Sequence, residues 1–147
     1  MLRGINVGGH GKLPMKELVR LCENAGCTNV RTYIQSGNVV FTATPDVAAA
    51  LPSHLPFPAL LRTAGEIEAV VQGNPYPPEH SYVTFLFAPP GPLPVPDPPE
   101  ACTLSGLHLY VYLPNGVGTS KFAAKLPTTG TTRNWRTVLR LHSLLTE

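Results

Sequence analysis

The sequence predicts an α+β fold with antiparallel sheets: a ferredoxin-like βαββαβ first half and a second, smaller α+β half. Three observations lead there. A glycine-punctuated strand is followed at once by a helix, residues 30–41 read as a hairpin, and a further helix and strand alternate behind it. The second half opens on an apolar strand, then crosses a proline-dense stretch before its remaining elements.

Residues 2–7 form the first predicted strand, cut short by Gly8-Gly9-His10-Gly11. Pro14 suits the opening turn of a helix, where a missing N–H is harmless. Met15, Leu18, Leu21/Cys22 and Ala25 then recur at helical spacing, and Gly26 is a natural stop. Residues 30–41 are rich in β-branched and aromatic side chains and break at Ser36-Gly37-Asn38, where Gly37 and Asn38 tolerate a positive φ. Thr44 and Pro45 cap and start a short helix that Pro52 ends. Residues 57–62 are the next predicted strand. Thr63-Ala64-Gly65-Glu66 is a capping box for a helix with Ile67, Val70 and Val71 inward.

Residues 82–88 are a strand. In residues 89–99 seven of eleven are proline, so this connector is extended polyproline, with docking into an aromatic groove as its alternative use. Residues 107–113 alternate as a strand, with His108, Tyr110 and Tyr112 on one side. A short helix is expected over 119–125, and a last helix opens at the Thr-rich turn before Trp135, with Val138, Leu139, His142 and Leu145 on its face. The 147 residues are expected to form a single compact unit, with subdomains at 1–73 and 74–147.

Composition narrows the setting. No apolar run approaches the ~20 residues of a membrane span, the first residues lack a secretory pattern, and Cys22, Cys27 and Cys102 have no paired spacing. A soluble cytoplasmic protein with free thiols is the expectation. Net charge is +2, unevenly spread: residues 1–100 hold six Lys/Arg and eight Asp/Glu, whereas residues 101–146 hold Lys121, Lys125, Arg133, Arg136 and Arg140 and no carboxylate. Such a segment attracts anions.

Three groups of residues could carry chemistry. In 115–121, two glycines can turn backbone N–H groups toward one point, and Ser120 and Lys121 add donors at a helix start. The spacing is not that of a Walker loop, and a structural Ser/Thr cap is the alternative. Around 131–136, Arg133, Asn134 and Arg136 sit at a helix opening, where cations are locally unfavourable unless an anion or a carboxylate offsets them. Around the hairpin, Arg31, Tyr33, Gln35, Ser36 and Asn38 join Arg3 and Asn6 of the first strand; Asn6 and Gln35 could lie near each other at one end of the sheet, and Asn38 better suits the turn backbone. The five histidines show no metal-ligand spacing, Glu66 and Glu68 look solvated, and Ser36 is not in a nucleophile elbow. No metal and no cofactor are expected.

Leu2-Arg3-Gly4-Ile5-Asn6-Val7-Gly8-Gly9, Arg31-Thr32-Tyr33-Ile34-Gln35-Ser36-Gly37-Asn38-Val39-Val40-Phe41, Asn74-Pro75-Tyr76-Pro77, residues 118–122 and Thr131-Thr132-Arg133-Asn134-Trp135 together resemble the bacterial domain-of-unknown-function 1697 family. The resemblance implies a compact α+β fold of ferredoxin-like halves, cytoplasmic, without established activity or cofactor, and it carries over no catalytic residue. Relatives have several residues of strand before the first motif, which leaves open whether Met1 is the true start. The segment 46–58 is also shorter and more proline-broken than theirs. Whether the protein is an enzyme stays open. The leading expectation is a binding module for a phosphate-bearing ligand, a nucleotide or nucleic acid. The alternatives are an enzyme acting on a small anionic metabolite, with Tyr33, Ser120 or Lys121 as proton donor, and a structural or protein-interaction domain.

Overall fold

The computed structural model describes residues 13–33, 37–127 and 130–146. The predicted first strand, with Arg3 and Asn6, lies outside them, as do Gln35 and Ser36. The fold is α+β and both sheets are antiparallel. The chain divides into two units: one holds the residues up to Thr63 and the chain end from Ser143, the other runs from Ala64 to His142.

In the first unit, helix α1 (Met15–Asn24) buries Leu18 and Cys22. It ends where Gly26 takes φ +107°, which lets Gly26 N–H reach Glu23 O at 3.0 Å and Cys27 N–H reach Cys22 O at 3.0 Å. Pro14 stands one residue ahead of the helix, with its carbonyl accepting from Leu18 N–H at 3.1 Å. The hairpin pairs β1 (Thr28–Tyr33) with β2 (Asn38–Thr42), and Gly37 supplies the positive φ, while Asn38 is already the first residue of β2. Thr44 Oγ1 caps α2 (Pro45–Ala50) by accepting from Val47 N–H at 3.3 Å, and a 3₁₀ turn, Leu51–His54, follows. Leu13, Leu18, Cys22, Cys27 and Leu51 form the core of this unit, with Val30, Val39, Phe41 and Val47 packed on it.

Residues 57–62 depart from expectation. They hold a single bridge residue, Ala59, and no strand, because Pro56 and Pro58 withhold the N–H groups a ladder needs.

The second unit is built on a four-stranded sheet of order β4-β5-β3-β6, from β3 (Ser81–Leu86), β4 (Ala101–Ser105), β5 (His108–Tyr112) and β6 (Gly130–Asn134). Cross-strand partners share a face, so the registers sort the side chains. Tyr82, Thr84, Leu109, Val111, Cys102, Leu104, Thr132 and Asn134 lie on one face; Val83, Phe85, Tyr110, Tyr112, Thr103, Thr131 and Arg133 lie on the other. The first face is covered by Phe122, Ala123, Leu126 and Leu93 packed on Leu109, Val111 and Leu113. Helix α3 (Ala64–Gly73) covers the second. Its Val70 carbonyl accepts the Tyr110 hydroxyl at 2.9 Å, and a Cβ on Gly73 would meet that hydroxyl at 2.8 Å. α3 accordingly belongs to the second unit, whose boundary falls at Thr63/Ala64 where 73/74 is expected from sequence.

The proline-dense connector 89–99 is free of helix and strand. Helix α4 (Trp135–Leu145) buries Trp135, Val138, Leu141 and Leu144, while Leu139 stays 42% exposed. The buried stripe thus turns slightly from the predicted one, which had placed Leu139 inward.

Candidate functional site

The junction of β6 and α4 is where the basic residues acquire a defined geometry. The expected Thr-rich turn is instead a strand: Gly130–Asn134 pairs with β3 in continuous register, and helix begins only at Trp135. Thr84 Oγ1 and Thr132 Oγ1, 2.8 Å apart, tie the strands on one face. On the other face Arg133 is half-buried, with Nη1 donating to Thr131 Oγ1 at 2.7 Å and to Thr132 O at 3.1 Å. Burial pushes its guanidinium below the usual arginine range. Asn134 Oδ1 accepts from Thr137 N–H at 2.9 Å, so this side chain caps α4. Arg136 is exposed in the first turn.

The glycine loop 115–121 is largely committed to itself. Gly116, at φ +88°, donates its N–H to Leu113 O at 3.0 Å, and Ser120 N–H donates to Val117 O at 3.3 Å. Ser120 Oγ accepts from Ala123 N–H at 2.9 Å, and Thr119 Oγ1 donates to Asn115 O at 3.4 Å. The predicted helix over 119–125 shrinks to one 3₁₀ turn, Ala123–Lys125, since buried Phe122 pins the segment to β5 and Pro127 stops it. A three-residue turn aligns few peptide dipoles. Lys121 is exposed beside that anchor. Its loop covers the Leu109 face, whereas Arg133 belongs to the opposite one. The sheet therefore separates the two basic groups and leaves Arg133 and Arg136 as the cations at the β6–α4 junction, with Asn134 between them in sequence but on the opposite face from Arg133.

Among the hairpin candidates, Asn38 is fully buried opposite Tyr33 at the start of β2. Among the described residues no three His, Cys, Asp or Glu side chains are placed to hold a metal ion. Cys22 and Cys27 are buried, Cys102 is half-buried and all three are free; burial pushes the Cys22 thiol up to about 11. An open depression of about 420 Å³ is lined by Pro89, Pro90, Pro92, Lys125 and Pro127 with Ala88 and Gly91.

One cluster carries more than the sequence reading assigned to it. Tyr76 stacks on Tyr112 with ring centroids 5.8 Å apart, and its hydroxyl lies 2.6 Å from Thr103 Oγ1. Asn74 orients it, accepting from Tyr76 N–H at 3.1 Å and donating to Ser81 Oγ at 3.1 Å. Residues 74–77 thus lock a turn onto the sheet. Asn side chains readily bond the backbone two residues on, so Asn74 is itself the local signal of such an Asx turn.

Residues 1–97 match the family described as "Protein of unknown function (DUF1697)". The chain belongs to the DUF1697 family. Among solved structures it is similar to the conserved bacterial protein SP0830 from Streptococcus pneumoniae, with a TM-score of 0.76 at 22% identity over 99% of this chain and 96% of that one. At that identity the likeness is one of fold. No curated protein matches this DUF1697 chain. No helix among its described residues is long and apolar enough to cross a membrane.

Proposed function

We propose that this DUF1697 protein is a cytoplasmic binding module for a phosphate-bearing ligand, a nucleotide or nucleic acid, anchored where β6 meets α4. The observation that supports it is the pair Arg133 and Arg136 flanking the Asn134 cap, in a segment, 101–146, that contains no carboxylate. An eleven-residue helix directs partial positive charge and open N–H groups toward its start. Planar guanidinium groups match phosphate oxygens in pairs. Arg133 is already steadied by Thr131, which lowers the entropy lost when it grips a ligand. Lys121 and Lys125 add to the long-range positive field rather than to the contact. Three free cysteines fit a reducing compartment.

The test is thermal shift at low salt against inorganic phosphate, nucleotides, sugar phosphates and short single-stranded oligonucleotides. A ligand at a hundredfold its Kd is expected to stabilise the fold by about 2.7 kcal/mol. Arg133→Ala with Arg136→Ala removes that shift, while Lys121→Ala leaves most of it. No shift from any ligand, or one that survives the double arginine replacement, rejects the site.

A second reading, a structural or protein-interaction domain, is favoured by the glycine loop, whose Ser120 hydroxyl and Gly116 and Ser120 amides are spent on its own backbone. It predicts no ligand shift.

A further inference from the structure

We propose that β4 is a self-association edge, at which two copies of this chain pair antiparallel about a two-fold axis passing by Thr103. The inference is independent of the phosphate reading. In the order β4-β5-β3-β6, β4 ends the sheet. Leu86 N–H donates to Leu107 O at 2.9 Å and Leu113 N–H to His80 O at 3.0 Å, one at each end of the β3·β5 ladder. Peptide groups along a strand alternate in direction. Leu109 and Val111 therefore aim theirs at β3, and His108, Tyr110 and Tyr112 aim theirs at β4. Through the register Ala101↔Tyr112, Thr103↔Tyr110 and Ser105↔His108, those three β4 residues bond inward. Cys102 and Leu104 aim their N–H and C=O away from the sheet, and among the described residues no strand takes them up.

Most sheet edges are guarded by lysine, proline, a bulge or an inward charge. Ala101-Cys102-Thr103-Leu104-Ser105 has no charged residue and no proline, and its register with β5 is unbroken. Thr103 and Ser105 are exposed, and Leu104 is 41% exposed. β6, the other edge, carries Arg133 and runs straight into α4.

A second copy is the occupant this edge fits. Pairing about Thr103 sets Cys102 opposite the partner's Leu104, and Leu104 opposite the partner's Cys102. Those are the two residues with outward peptide groups, so each pair exchanges both of its bonds. No like charges meet, because the strand has none and Glu100 falls opposite Gly106. Leu104 covers its exposed surface against the partner's Cys102, on the face that Phe122 and Leu126 already close. Thr103 meets its own copy in the closer, non-hydrogen-bonded position, while Tyr76 holds its hydroxyl from behind. A strand edge is a small contact beside the ~1,200 Å² of stable complexes, so the association is reversible and depends on concentration.

Sedimentation velocity on the full chain, from low to high micromolar concentration, reads the association directly. A monomer–dimer equilibrium is expected, and Leu104→Lys should weaken it by roughly tenfold or more, since a lysine on an edge blocks pairing. Thr103→Cys should form a disulfide-linked dimer under mild oxidation, whereas Ser105→Cys, facing the partner's Ala101, should not. Circular dichroism confirms that each variant is folded, and the cross-linking pattern stands without Leu104→Lys. A protein monomeric throughout overturns the proposal. So does a dimer indifferent to Leu104→Lys, or one that cross-links equally from positions 103 and 105.

Discussion

Gly130 shows how one residue can be dictated by a neighbour far away in sequence. A Cβ at this position would run into the carbonyl oxygen of Phe85 and stand 3.1 Å from its carbon, both backbone atoms of β3. Neither can yield without opening the β3·β6 ladder. Gly130→Ala is expected to cost about 2 kcal/mol or more in urea unfolding, in the range of overpacked sites; a change within about 0.5 kcal/mol would contradict the close approach. Nothing in residues 127–131 announces this, because the crowding atom belongs to another strand. Asn134 is different. Its basic surroundings point to a ligand contact, whereas its side chain serves as a helix cap. An Asn three residues before Thr137 is a legible capping signal once the helix is started at Trp135.

At the scale of elements, that cap can be weighed. Asn134→Ala removes the acceptor for Thr137 N–H and should lower stability by about 1 kcal/mol, while Asn134→Asp should keep most of it. Chemical denaturation of the three proteins distinguishes a cap from a side chain that only decorates the surface. Elements with a strong local period were legible: α1 with its Gly26 stop, the hairpin around Gly37, β3 and β5. Those whose identity depends on a partner were not. Gly130–Asn134 is polar, with glycine and threonine ahead of an arginine, and looks like a turn until β3 supplies its hydrogen bonds. Residues 119–125 look like a helix until Phe122 is drawn into the core under β5.

Across the whole molecule, burial of acidic groups gives stability a pH dependence. Burial pushes the Cys22 thiol from 9.0 up to about 11, and raises the thiols of Cys27 and Cys102 and the Tyr110 hydroxyl in the same direction. The folded protein then keeps protons that the unfolded chain releases. This contribution is complete below about pH 9 and declines as pH rises toward about 11. Urea unfolding between neutral pH and pH 10.5 should show a plateau and then a fall, and Cys22→Ala should flatten the largest part of that fall. A wild-type plateau that continues to the end of the range would refute a protonated, buried Cys22.

What the amino-acid sequence determined by itself was the DUF1697 family, the α+β class with antiparallel sheets, and the capped or glycine-stopped ends of its local elements. The family rests on motifs that occur in order along the chain, whereas the element ends follow from interactions between residues a few positions apart, which spacing records. The tertiary structure alone decided that α3 belongs with the second sheet, that the Thr-rich segment is a strand, and that Lys121 and Arg133 serve opposite faces of one sheet. The reason is register. Which face a strand residue occupies, and which peptide groups remain outward, is settled by pairing with segments tens of residues away, and a shift of one position reverses every side chain.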